Sequence, residues 1–172
     1  MKLAIWMFGL ASLLLAGTAQ ASEPFGKVDG WEITAQPGVN ICYMERFYVS
    51  KSGTTEGLSV SFETNATKTL LFWSTTSKLF PLARGNLDLD LRFKSGESIN
   101  ESWGSQTFGY ETVDNSHIFT LAFVGQESSA LILADLANHA EVGIFLGTVL
   151  LAAFPLAPVA VEKLTACAAR PL

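Results

Sequence analysis

From Trp31 to Val124 the chain repeatedly alternates apolar and polar residues with a period of two, the signature of half-buried strands. Trp31-Glu32-Ile33-Thr34-Ala35 opens the series. Pro37-Gly38 supplies a turn into a second strand, from Ile41 through Cys42 to Tyr48, so the pair reads as a hairpin. Leu58, Val60 and Phe62 then share a face opposite Ser59, Ser61 and Glu63. Asn65-Ala66-Thr67 turns the chain back into Thr69–Ser74, which is apolar on both faces and therefore predicted at the centre of the sheet. The cleanest alternation sets Leu87, Leu89, Leu91 and Phe93 against Asp88, Asp90 and Arg92. A weaker strand around Trp103 to Tyr110 follows, and Ile118 to Val124 closes the series with Phe119, Leu121 and Phe123 on one side. Ahead of Trp31, the stretch from Ser22 to Gly30 reads as a polar leader.

The period changes after Val124. Ser128 or Ser129 is expected to cap a helix from Ala130 to Asn138. A second helix is predicted from Pro158, a residue suited to the first turn. In it Val161, Leu164 and Cys167 recur every three residues, which places Cys167 on the buried stripe. Between the helices, residues 142–161 carry no charge, a run long enough for a membrane span. Gly143, Gly147, Pro155 and Pro158 cut that run into strand-length pieces, and two short buried strands, Glu141–Leu146 and Thr148–Ala153, are predicted in its place. The expected fold is mainly β: an antiparallel sandwich or partly closed barrel with two short α-helices and one disulfide.

The N-terminus changes the compartment. Lys2 precedes an apolar run from Leu3 to Ala16, and Ala19-Gln20-Ala21 fits a small-x-small cleavage site, so residues 1–21 read as a signal peptide and 22–172 as a single exported domain. In the periplasm or outside the cell, Cys42 and Cys167 are expected to pair, because two thiols allow one bridge. The bridge would staple the last helix to the strand carrying Cys42.

Composition and motifs narrow the chemistry. The full chain carries a net charge of −5, which argues against binding nucleic acid or an anionic membrane surface, both of which need clustered Lys and Arg. Two histidines and two distant cysteines have no zinc-ligand spacing, and no Gly-x-Ser-x-Gly elbow or phosphate-binding glycine loop occurs, so no metal, cofactor or catalytic residue is assigned. His117 reads as a solvated turn residue and His139 as a cation at a helix C-terminus. Asp88 and Asp90 share a strand face with Arg92, as paired carboxylates of a hydrolase can, but nothing in the sequence converges on the pair and a solvated strand surface is the expected reading. Exposed Trp and Tyr drive interfaces, and Trp103 and Tyr110 are the candidate binding face.

Gly30-Trp31-x-Ile33 followed by Cys42, then Phe154-Pro155-Leu156 and Leu164-x-x-Cys167, resembles small exported proteins of alphaproteobacteria and, more distantly, the invasion-associated locus B family. The resemblance implies a periplasmic or surface-exposed β-rich domain and no catalytic residues. The leading expectation is an exported, non-enzymatic structural or binding domain whose partner is an unidentified protein or envelope component. The alternatives are an envelope hydrolase working through carboxylates and a membrane-anchored envelope protein held by residues 142–161.

Overall fold

A computed structural model describes residues 22–170 apart from 37, 39, 66 and 81–83, with Asn100 described in its backbone alone; residues 1–21, read from the sequence as a signal peptide, lie outside the described residues. The strands are β1 (Glu23–Val28), β2 (Trp31–Gln36), β3 (Ile41–Val49), β4 (Thr55–Glu63), β5 (Lys68–Thr75), β6 (Gly85–Ser95), β7 (Ser98–Val113), β8 (Ser116–Val124), β9 (Glu141–Leu146) and β10 (Val149–Pro155). Helix α1 (Gln126–Asn138) separates β8 from β9, and α2 (Pro158–Ala168) follows β10. All ten strands join one antiparallel sheet in the order β1-β2-β3-β4-β5-β8-β7-β6-β9-β10, curled into a half-barrel.

The curl brings distant strands together. The Trp31 indole Nε1 donates to the Pro155 carbonyl at 3.2 Å, and the Tyr48 ring meets Phe154 edge-on at 5.4 Å, so the end of β10 lies against β2 and β3. Long, twisted strands need local breaks to coil this way. Register shifts between Leu91 and Arg92, and between Phe93 and Lys94, mark where β6 and the 16-residue β7 bend together, near Gly104 with its φ of 62°.

The inward face is organised in rows that cross the sheet. Ala35, Cys42, Phe62, Thr69 and Phe123 are successive register partners on β2, β3, β4, β5 and β8. Next along the strands come Ile33, Met44, Val60, Leu71 and Leu121. A third row, Leu58, Trp73, Phe119 and Tyr110, is followed at the far rim by Tyr48, Glu56, Thr75, His117 and Thr112. The second and third rows join α2 and the inward side chains of β6 and β9 in one core: Ile33, Met44, Val60, Leu71, Leu58, Trp73, Leu91, Ile144, Leu164 and Cys167 are each at most 1% exposed.

Helix α2 seals the first row. Its Cys167 is bonded to Cys42, with Cα atoms 6.0 Å apart, so the disulfide and the buried stripe of Val161, Leu164 and Cys167 stand as the sequence predicts. The Thr64 hydroxyl donates to the Ala168 carbonyl at 2.7 Å and fixes the end of the helix.

Several expectations need correction. The stretch from Ser22 to Gly30 is not a leader: Glu23–Val28 pairs with β2 through a turn in which Asp29 and Gly30 both have positive φ. Helix α1 starts at Gln126 behind Gly125, not at Ala130 behind a serine cap; Ser129 lies inside the first turn and its hydroxyl reaches the Phe123 and Thr67 carbonyls at 3.1 Å. The uncharged run 142–161 forms β9, β10 and the start of α2, and no helix among the described residues is long and apolar enough to cross a membrane. Its second strand is not wholly buried, since Val149 and Leu150 are 60% and 52% exposed.

Candidate binding site at the His117 rim

The outermost inward-facing row is polar, unlike the rows beneath it. Glu56 is 5% exposed and His117 is 3% exposed, each set there by the two-residue period of its strand. Trp73 Nε1 donates to Glu56 Oε2 at 2.8 Å, and the Thr75 hydroxyl donates to Glu56 Oε1 at 2.9 Å. Burial raises the Glu56 pKa above the usual carboxylate range, while the hydrogen bonds from Trp73 and Thr75 oppose the shift by favouring the charged form. Burial also raises the Tyr48 phenol; a backbone hydrogen bond from Ala153 opposes this, and the charges of Glu56 and Glu141 add to it.

The row anchors the segment that follows β5. The Ser77 amide donates to the Thr75 hydroxyl at 3.1 Å, so that hydroxyl links a buried carboxylate to loop backbone. Thr55 and Thr76 exchange two hydrogen bonds, at 3.1 and 2.9 Å, and the Leu79 amide donates to the Ser77 hydroxyl at 3.3 Å. Phe80 then folds inward, edge-on to Trp73, Phe119 and His117 at centroid distances of 5.7, 4.8 and 5.6 Å. The opposing wall is the turn between β7 and β8, where Asp114 and Asn115 hold φ values of 49° and 65°. A two-residue hairpin of this kind needs positive φ at both centres, which Asp and Asn tolerate better than other side chains.

Between these walls lies a cavity of about 450 Å³ lined by Thr76, Ser77, Lys78, Phe80, Asp114, Asn115 and His117. His117 is therefore not a solvated turn residue. It faces inward at the base of the cavity, and its Nδ1 is 3.1 Å from the Thr112 hydroxyl. The sequence signal that could have found it is the strand phase, since His117 shares parity with Phe119, Leu121 and Phe123.

The residues singled out from sequence do not meet at this cavity as a group. Tyr110 stacks on Phe119 at 5.5 Å, near it, and lines a shallower depression with Arg84, Gly85 and Ile118. Trp103 lies seven residues away on β7, roughly 23 Å along an extended strand; its indole donates to Asp135 Oδ2 at 2.6 Å and meets Phe123 edge-on at 5.1 Å. Trp103 is half-buried beneath α1, beside a separate cavity of about 410 Å³ with Glu101, Leu131 and Asp135. Asp88 accepts from the Thr107 hydroxyl at 2.7 Å, whereas Asp90 pairs with Arg92 at 2.7 Å, so the two carboxylates have separate partners. Arg92 also donates to the Gly147 carbonyl at 2.6 Å and covers the Phe145 ring at 4.2 Å. His139 caps α1 at its C-terminus, its Nδ1 2.9 Å from the Asp135 carbonyl oxygen, as expected of its position. No group of three or more potential metal ligands occurs among the described residues.

Comparison with protein-family models, curated proteins and solved structures found no match to this chain.

Proposed function

We propose that the chain is an exported, non-enzymatic binding domain, and that the cavity over His117 is where it binds. The observation that carries this reading is the cavity itself. Its volume of about 450 Å³ falls within the range of small-molecule sites, and it joins an aromatic floor to a few polar groups, the usual composition of such sites. The walls are fastened by hydrogen bonds before any ligand arrives, which lowers the ordering cost of binding. A binding role fits the hydrogen bonding better than nucleophilic catalysis does. Serine activation calls for a hydroxyl joined to a base, yet the Ser77 hydroxyl accepts from the Leu79 amide while His117 engages Thr112. The Cys42–Cys167 bridge supports the exported placement, because disulfides persist in oxidising compartments.

Two measurements test the reading. The mature protein released by osmotic shock should begin at Ser22 and carry no alkylatable thiol before reduction; retention with the membrane, or a free thiol pair, overturns the exported placement. Titration of the labelled protein with a library of small aromatics, neutral, charged and zwitterionic, should shift amide resonances of residues 76–80 and 114–117. Shifts confined to the Trp103 cavity would move the binding site there, and their absence everywhere would end the small-molecule reading.

A further inference from the structure

The cavity over His117 carries opposite charges on opposite walls. Lys78 comes from the segment after β5 and Asp114 from the β7–β8 turn, and both line the same space. Among the described residues neither side chain takes part in an ion pair or hydrogen bond, although four ion pairs form elsewhere. Beneath them sit the Phe80 ring and His117, whose side chain has Thr112 as its hydrogen-bond partner and is otherwise packed against Phe80. Asn115 and the hydroxyl-bearing Thr76 and Ser77 complete the lining with neutral polar groups.

The charges restrict the ligand. A purely anionic molecule drawn to Lys78 would be repelled by Asp114, and a purely cationic one drawn to Asp114 would be repelled by Lys78. A molecule with a cationic and an anionic end satisfies both walls, and an apolar group between them would lie on Phe80. The geometry points to a zwitterionic amino acid or dipeptide with an aromatic or large aliphatic side chain as the ligand. Its ammonium faces Asp114, its carboxylate faces Lys78, and its side chain rests on the floor formed by Phe80 and His117. Both charged residues are exposed, so each end contributes modestly, about tenfold in affinity or less.

This inference rests on the cavity being the binding site, and the experiment separates the two. The oxidised mature protein is titrated with free phenylalanine, N-acetylphenylalanine, phenylalaninamide and phenol, with amide shifts read by NMR. Free phenylalanine is expected to bind about tenfold more tightly than either blocked analogue. Lys78→Gln should weaken free phenylalanine and N-acetylphenylalanine while tightening phenylalaninamide slightly, because it relieves a like-charge repulsion. Asp114→Asn should weaken free phenylalanine and phenylalaninamide while tightening the N-acetyl compound slightly, for the same reason. Equal affinity for all three amino-acid probes, or binding of one blocked form alone, overturns the zwitterion and leaves the cavity reading standing. If phenol and the amino-acid probes all fail to shift residues 76–80 and 114–117, both fall.

Discussion

The two ends of the half-barrel are closed in opposite ways. At one end the row Ala35, Cys42, Phe62, Thr69 and Phe123 is covered by helices, with a disulfide across it. At the other, Tyr48, Glu56, Thr75, His117 and Thr112 form a polar row under a loop. The same strands supply both rows, so the contrast lies in side-chain chemistry. A covalent staple and apolar burial make the first end a structural closure. The second closes by hydrogen bonds around buried polar groups, which leaves a cavity with directional partners exposed to a ligand. One end holds the fold together, and the other carries the cavity we propose as the binding site.

The largest expected effect breaks the stapled end. Replacing both cysteines by Ala should cost about 5 kcal/mol in the chain-entropy account of a bridge spanning 125 residues, measured by urea unfolding of oxidised wild type against the variant. A loss below about 1 kcal/mol would mean that helix packing alone closes that end. At the rim, Glu56→Leu strands the Trp73 Nε1–H in the core and should cost about 2 kcal/mol at neutral pH. Adding Trp73→Phe to it should cost less than the two single changes summed, because the orphaned donor is gone; strict additivity would show that Glu56 and Trp73 are not coupled.

Thr69 sharpens the comparison in the opposite direction. Its hydroxyl is the buried side-chain polar atom without a partner among the described residues, and it lies in the stapled row between Phe62 and Phe123. Thr69→Val should therefore raise stability by about 1 kcal/mol, visible as a higher denaturant midpoint. A loss of stability would show that this end is not the dry closure described above.

The smallest effect is a slope. Glu56 has a raised folded pKa, so in the window from the ordinary carboxylate pKa up to its folded value the native state holds the proton more tightly than the unfolded chain. Stability from this group is complete below that window and declines as pH rises through it. Glu56→Gln keeps an acceptor for Trp73 and removes the slope, so the stability difference between wild type and variant should move against wild type as pH rises. Parallel stability curves for the two proteins would remove titration of Glu56 from the account.

The stapled end was more legible in the sequence than the rim. Cys167 could be placed because Val161, Leu164 and Cys167 repeat at helical spacing, and two thiols leave one pairing. The alternation at Leu89, Leu91 and Phe93 likewise identified buried side chains, all fully covered. β1 was hidden because Glu23–Val28 is half exposed and weakly patterned; Asp29-Gly30, a strong hairpin dipeptide, was the available signal. The rim row was illegible for a different reason. Glu56, Thr75 and His117 lie on three strands, and a charged residue or a histidine read alone suggests solvent. Only the register between β4, β5 and β8 sets them side by side. The cavity needs that register together with the inward turn of Phe80, which no local periodicity encodes.

The seam formed by Trp31 with Pro155, and Tyr48 with Phe154, bears on how the chain can be made. Both contacts, like the disulfide, join the first strands of the domain to its last two elements. Sheet pairing from β1 to β5 can proceed as soon as those residues are available, since each strand pairs with its sequence neighbour. Closure cannot. A chain delivered N-terminus first holds an open sheet with Trp31, Cys42 and Met44 uncovered until nearly all of it has emerged. The last turns of α2 thus act as a completion check: a product truncated before Cys167 would keep a thiol at Cys42 and an apolar face for quality-control proteases or chaperones to recognise.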